Sequence, residues 1–388
     1  MQVVELIFVS SENNNKFYSM RQIDANSFEI TYGRVGQSGT KETYPMGRWR
    51  SKYNEKIKKG YTDVTHLRTK GVEGSILFED LDVETFYKTF TQYSKSTVSS
   101  QYNLEIASVT PQMIKEAQDI LNELADLSKS GNVDKFNENL INLFKVIPRK
   151  IKNVKWELFD SFIPDDFLKK ITQEQDTLDS LASQIQVTTS GDNVSINDLL
   201  GVNMNIATSA EVDFCAKIIN PTLNSSHKIF KVFKVENKST NKAYEDWLVN
   251  QDNKHEEYLI HGTRNANIFP ILSSGLVLRP TNAFISGAAY GSGLYHSFHG
   301  QKSLGYTGYD PDKIFLIQRV HMGNFYTYQG WYRDGKDLSR SQMNYKDLKA
   351  MGYDSLYVKP GDGLMNSEYI VYNECQSTTN FLVWLKEA

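Results

Sequence analysis

From residue 229 onward the chain is a series of short runs rich in β-branched and aromatic residues, separated by long loops: 229–235, 258–261, 313–320, 355–357, 369–372 and 381–385. Parallel neighbours need a crossover, usually a helix, between successive strands, and this stretch has no such β-helix-β rhythm. It therefore predicts a mixed, mainly antiparallel sheet of the α+β type. Three tracts along it hold chemistry-bearing side chains. They are a strand ending in His261-Gly262, a turn Gly291-Ser292-Gly293-Leu294-Tyr295, and a strand Glu368-Tyr369-Ile370-Val371-Tyr372. Taken singly, each has an ordinary reading. His-Gly is a common strand end, a glycine-rich tract is a common loop, and a strand glutamate is usually solvated. As a phosphate cradle the tract 287–293 fails, because it has no Lys-Ser/Thr pair and no helix directly after it. His296 and His299 have no metal-ligand spacing and read as loop residues, so no metal is expected.

Upstream the pattern differs. Residues 2–9 and 16–34 read as strands broken by turn residues, and a further strand covers 41–44 after the turn Gly36-Gln37-Ser38-Gly39. Residues 48–59 have helical spacing, with Trp49, Tyr53 and Ile57 on one face and Gly60 closing the helix. Charge matters here. The whole chain carries a net −3, yet its first 70 residues hold 12 Lys/Arg against 7 Asp/Glu. A basic module on an acidic body favours a polyanion at one end.

Residues 86–104, rich in Thr, Ser, Tyr and Gln, read as a linker. Helices follow. Thr110-Pro111 is an N-cap and first-turn pair ahead of the stripe Met113, Ala117, Ile120, Leu121 and Leu124. A second stripe through Phe136, Leu140, Leu143 and Phe144 stops at Ile147-Pro148, and a third helix spans 167–185. The expected domains are thus a small sheet-plus-helix module at 1–85, a linker at 86–104, an all-helical part at 105–205 and the mixed sheet at 206–388. No apolar run approaches the ~20 residues of a membrane helix, and the N-terminus lacks a signal-peptide pattern. Two distant cysteines, Cys215 and Cys375, argue against a disulfide framework or a cysteine metal site and favour a reducing compartment.

The three tracts, in this order, resemble the His-Tyr-Glu triad of the poly(ADP-ribose) polymerases. The likeness runs from His261 to Tyr306 without a gap, through Asn267, Gly275, Pro280, Gly287, Gly291, Gly293, Lys302 and Ser303, and resumes at Gly323-Asn324 and at residues 369–372. Asn15-Lys16-Phe17-Tyr18, Tyr32-Gly33-Arg34-Val35-Gly36 and Lys59-Gly60-Tyr61 resemble the WGR domain of DNA-dependent members, with Tyr32 in place of the namesake tryptophan. Tracts around 112–124 and 144–148 resemble their all-helical regulatory domain.

The resemblance implies an enzyme that splits NAD at the nicotinamide–ribose bond and transfers ADP-ribose to proteins, itself included. Glu368 would bond the ribose hydroxyl beside the reacting carbon, favour the developing positive charge and orient the acceptor. His261 would bond the adenosine ribose. The Gly262 backbone and Ser303 would hold the carboxamide, while Tyr295 and Tyr306 would sandwich the nicotinamide ring. Thr263, Asn267, Arg279, Gly287 and Lys302 complete the NAD-binding set. Glu374 is a rival acid that shares strand parity with Glu368, but the family's glutamate opens the Glu-Tyr-Ile-Val-Tyr strand, which favours Glu368.

Arg34, Arg48, Trp49, Arg50, Lys52, Lys56, Lys58 and Lys59 would meet a DNA strand break, with Trp49 either core or a stacking platform. NAD is then a substrate, DNA breaks activate, and no membrane is involved. The location is intracellular: the nucleus of a eukaryote, or the cytoplasm and nucleoid of a bacterium. Val277 stands where the family has an arginine, with Arg279 two residues on. Ala288, Ala289 and Asn366-Ser367 differ at positions of which those around 289 and 366 help hold a growing polymer. Mono-ADP-ribosylation or NAD hydrolysis is therefore the first alternative, and a catalytically silent DNA-binding protein is the alternative of another class.

Overall fold

The computed structural model describes residues 2–67, 76–78, 80–101, 110–188, 194–278, 289–330, 332–333, 336–337, 343–361 and 364–388. The chain forms two compact units: Met1–Gly74 with Lys95–Gly191, and Ser75–Ser94 with Asp192–Ala388.

In the first unit β1 (Val3–Ser10), β2 (Asn14–Gln22), β3 (Ser27–Arg34), β4 (Thr40–Pro45) and β5 (Thr62–Asp63) make one antiparallel sheet, ordered β4-β3-β2-β1-β5. Leu6, Tyr18, Met20, Phe28 and Ile30 form its buried face, and α1 (Trp49–Lys58) packs Trp49 and Tyr53 onto them. Trp49 meets the Phe28 ring edge-on at 4.9 Å. It is therefore partly buried, packed on the core of this sheet. Ile57, expected on the same face, is exposed.

Three further helices of this unit are among the described residues. In α3 (Pro111–Ser130) the Thr110 side chain accepts from the Met113 N–H, the cap expected from Thr-Pro. α4 (Val133–Val146) buries Phe136, Leu140, Leu143 and Phe144. α5 (Pro164–Thr188) buries Phe167, Ile171, Leu178 and Leu181. Phe136 stacks on Phe167 at 3.9 Å. Each such side chain contributes about 1.5–3 kcal/mol by leaving water, so packing of the stripes outweighs helix propensity here.

Among the described residues the second unit holds two larger sheets. β8 (Val202–Ile206), β9 (His227–Asn237), β10 (Glu256–Gly262), β12 (Lys313–His321) and β18 (Ser377–Glu387) lie in the order β10-β12-β18-β9-β8, antiparallel throughout. β11 (Leu294–His296), β17 (Glu368–Val371), β16 (Ser355–Val358) and β13 (Phe325–Thr327) form the other, antiparallel except for the parallel pair β13–β16. Short elements complete the unit: the parallel pair β6 (Ile76–Leu77) and β7 (Val194–Ser195), the hairpin β14 (Tyr332–Arg333) and β15 (Lys336–Asp337), and the helices α6 (Ile196–Leu200), α7 (Ser209–Ile219), α8 (Lys238–Val249), α9 (Ile268–Ser274), α10 (Gly300–Leu304) and α11 (Tyr345–Ala350). The expected mixed, mainly antiparallel sheet is present.

Two boundaries need correction. The linker expected at 86–104 is largely helix: α2 spans Leu81–Gln101, and 102–104 lie outside the described residues. Val83, Phe86, Tyr87 and Phe90 recur at helical spacing and are buried. Phe86 lies against Phe233 and Phe90 edge-on to Trp384, while the Tyr93 hydroxyl donates to Asp312. A stripe set among Thr and Ser was mistaken for a polar stretch. The helical part also ends before 205, because β8 is hydrogen-bonded to β9 and residues from Asp192 belong to the second unit.

Candidate active site

The three chemistry-bearing tracts meet because their strands are joined. Ile260 and Ser297 exchange backbone hydrogen bonds at 2.8 and 3.0 Å, bridging β10 to the chain just past β11. One residue on, His261 Nδ1 donates to the Tyr295 carbonyl at 3.0 Å. β11 in turn pairs with β17, setting Tyr295 opposite Ile370 and His296 opposite Tyr369. Glu368 opens β17, opposite Val358 of β16.

Burial sets the electrostatics. It pushes the His261 pKa down against the opposing bond from the Tyr295 carbonyl, so the ring is neutral at neutral pH. With hydrogen on Nδ1, as that bond requires, Nε2 is left as an acceptor. Glu368 is 3% exposed. Its Oε1 takes an ion pair from Lys302 Nζ at 2.7 Å, while its Oε2 is buried without a hydrogen-bond partner among the described residues. Burial raises the Glu368 pKa and the Lys302 bond and charge only partly offset that. Burial likewise lowers the Lys302 pKa against the pull of Glu368. On both sides desolvation outweighs attraction. Lys302 also donates to the carbonyls of Asn366 and Ser367 at 3.2 Å each. Its partner is thus the glutamate and the chain before it, a pairing no spacing rule could reveal.

The glycines are explained by packing. A Cβ on Gly262 would strike the Ser303 carbonyl, one on Gly291 (φ +84°) the Met343 carbonyl, and one on Gly293 the Ile370 side chain. The backbone of α10 thus fills the side on which a residue 262 side chain would stand. Ser303 is buried on α10, which His299 caps by accepting from the Lys302 N–H. The Tyr295 hydroxyl donates to the Gly291 carbonyl at 2.7 Å and accepts from the Tyr290 N–H at 2.9 Å, and burial raises its pKa. Asn267 donates to the buried Thr263 hydroxyl at 3.4 Å. Tyr306 is exposed, and its pKa is raised by burial of part of the ring and then by the Glu368 charge. Arg279 and Gly287 lie outside the described residues, as do Pro280 and Ala288.

Two ambiguities close. β17 ends at Val371, and Glu374 sits in the following turn, exposed, accepting from the Leu278 N–H at 2.7 Å. Strand parity therefore never applied to Glu374. His296 is no loop residue: it is buried on β11, its ring 5.9 Å from that of His261, and burial followed by the His261 charge pushes its pKa down to about 3.

The expected DNA-facing set divides. Arg34 is engaged within its own unit, donating to the Asn13 carbonyl and side chain and to the carbonyls of Ile151 and Lys152 at 2.9–3.1 Å. Lys56 lies over the Tyr18 ring at 4.4 Å, with its pKa lowered by burial, and Lys52 over Tyr44 at 4.1 Å. Lys59 pairs with Glu55 at 2.6 Å. Arg48, Arg50 and Lys58 are exposed.

No helix among the described residues is long and apolar enough to cross a membrane. The sequence profile of the poly(ADP-ribose) polymerase catalytic domain matches residues 209–387, and that of the WGR domain matches 4–68. The poly(ADP-ribose) polymerase-like protein 100L of Invertebrate iridescent virus 6 is 43% identical over 162 residues, 42% of this chain and 88% of the viral protein. Uncharacterized protein 101L of the same virus is 36% identical over 217 residues, 54% of this chain and 91% of that one. Poly(ADP-ribose) polymerase 1 of Gallus gallus is 23% identical over 343 residues, 79% of this chain and 32% of the bird protein.

Proposed function

This chain belongs to the poly(ADP-ribose) polymerase family and is an NAD+ ADP-ribosyltransferase; from that premise we propose that DNA ends held by its WGR domain activate it to modify proteins, itself included, and to extend the polymer. The observation that carries the chemistry is Glu368, a buried carboxylate with one oxygen on Lys302 and the other unpartnered among the described residues. An unpaired buried acceptor is costly, and the ribose hydroxyl beside the reacting carbon is a donor that satisfies it. The carboxylate then faces the positive charge that grows as the ribose–nicotinamide bond lengthens. The electron pair of that bond goes to the pyridinium nitrogen, so nicotinamide leaves neutral and needs no acid. An acceptor hydroxyl attacks the same carbon and passes its proton to Glu368.

His261 accepts the adenosine ribose hydroxyl on Nε2. The tyrosines Tyr295 and Tyr306 cover the nicotinamide faces, and Ser303 and the Gly262 backbone bond its carboxamide. Thr263 and Asn267 line the remainder of the NAD path. α3–α5 act as the regulatory domain, and Arg48, Arg50 and Lys58 neutralise phosphates without reading sequence. Docking on an end shifts a conformational balance toward NAD access. Such a protein works where broken DNA is, in a nucleus or nucleoid.

Purified protein should consume NAD at least ~10-fold faster with nicked or blunt DNA, a coupling of about 1.4 kcal/mol, and modified protein should smear on a gel. Equal rates with every DNA end would remove the activation reading and leave the transferase standing. Ala289 and Asn366 favour a second reading, mono-transfer or NAD hydrolysis. A single discrete mass increment, or free ADP-ribose alone, would select it.

A further inference from the structure

The strand that delivers Glu368 also reaches the turn on which Tyr295 is anchored. Beyond Val371, the buried Tyr372 lies with its ring against Gly293, where an added Cβ would meet it at 3.1 Å, and its hydroxyl donates to the Tyr290 carbonyl. The N–H of that same Tyr290 donates to the Tyr295 hydroxyl, which donates onward to Gly291. Two phenols thus hold three of the backbone polar groups of residues 290 and 291. Gly291 fixes that turn further, with a left-handed φ of +84° and no room for a Cβ beside Met343. The far end of the arrangement is pinned as well: the Tyr372 N–H donates to Gln376, whose amide is tied to the His321 and Asp354 carbonyls. The Tyr372 bond thus fixes the 290–291 peptide, and the Tyr295 bonds fix the peptides on either side of it.

We propose that Tyr372 is a positioning residue for NAD: acting through the Tyr290 peptide, its hydroxyl sets the attitude of the Tyr295 ring against the nicotinamide. This rests on the reading of Tyr295 as the nicotinamide platform. One strand, β17 with its extension, then fixes both the carboxylate and the ring, so their separation is set by a single rigid element.

The test uses the full chain, with benzamide as a ribose-free nicotinamide mimic in calorimetry and NAD in steady-state kinetics. Tyr372→Phe keeps the ring contact with Gly293 and should keep the thermal midpoint within a few degrees. It should raise the benzamide Kd and the NAD KM about 5-fold, the scale of one hydrogen bond, with kcat nearly unchanged. Tyr295→Phe should raise the benzamide Kd by a similar factor. The double variant should stay near ~5-fold, because the two hydroxyls hold adjoining peptides of one turn and act as a unit. Benzamide binding by Tyr372→Phe equal to wild type, or a multiplicative loss of about 25-fold in the double variant, would overturn the proposal. Tyr295→Ala separates the two readings. If it leaves benzamide affinity intact, the platform reading falls and positioning falls with it. If it weakens binding while Tyr372→Phe does not, positioning alone is wrong.

Discussion

Glu174 of the first unit and Glu368 of the second are both buried glutamates within reach of a lysine, yet their surroundings lead to opposite results. Arg149 grips both oxygens of Glu174 and Lys170 adds a bond at 3.1 Å. Burial alone would raise its pKa, but Arg149 and Lys170 overcome that and hold it below the usual carboxylate range. Among the described residues Glu368 has one cation and one occupied oxygen, and its pKa is raised. A buried carboxylate with every acceptor filled holds structure together. One left with an empty acceptor and an unfavourable charge has capacity for a ligand, and that difference, more than burial, marks a site.

The comparison can be broken by substitution. Glu368→Gln should cut turnover roughly 10³-fold while leaving the thermal midpoint and benzamide binding near wild type; retained turnover would show that the acid has been misassigned. Glu174→Gln should instead cost about 3 kcal/mol of stability by removing the buried charge that Arg149 and Lys170 share, read as a lowered melting transition in calorimetry. If it melts like wild type, the filled cluster contributes nothing and the contrast is lost. Lys302→Met leaves burial unopposed at Glu368, so the acid limb of the kcat–pH profile, already above the ordinary carboxylate value, should move to still higher pH. An unmoved limb would mean that Lys302 does not govern that ionisation.

The smallest effect is in the acid dependence of stability. With its folded pKa lowered, Glu174 contributes stability that is complete above about pH 4.3 and lost as pH falls through the lower folded value. Glu368 has the opposite sign: its raised pKa means the folded state takes up a proton more readily, so its contribution declines as pH rises from about 4.3 through the raised value. Melting curves of Glu174→Gln should therefore be flatter than wild type below about pH 4.3, and those of Glu368→Gln flatter above it. Identical pH slopes in both variants would contradict the assigned directions.

Local periodicity was readable in the chain. The Thr110 cap, the Phe136–Phe144 stripe and the strands through Ile260, Ile317 and Ile370 stand where the pattern puts them, because burial period and capping are properties of neighbouring residues. α2 escaped since four buried positions were set among Thr, Ser and Gln, and only docking on Phe233 and Trp384 shows which face counts. Arg34 and Lys56 looked like free cations for the same reason. A sequence records charge, but not the carbonyls of Ile151 and Lys152 or the Tyr18 ring that occupy it.

Alone, the sequence determined the inventory of this protein: the order of strands and helices, a basic front module, and a histidine, tyrosine and glutamate that a known family uses together. Only the tertiary structure decided which of them meet and in what electrostatic state. The Ile260–Ser297 bridge and the β11–β17 ladder bring His261, Tyr295 and Glu368 into one site. The end of β17 at Val371 leaves Glu374 exposed beyond the strand, and among the described residues one oxygen of the Glu368 carboxylate is without a hydrogen-bond partner. Strand pairing and desolvation depend on residues far apart in the chain, and no local period encodes them.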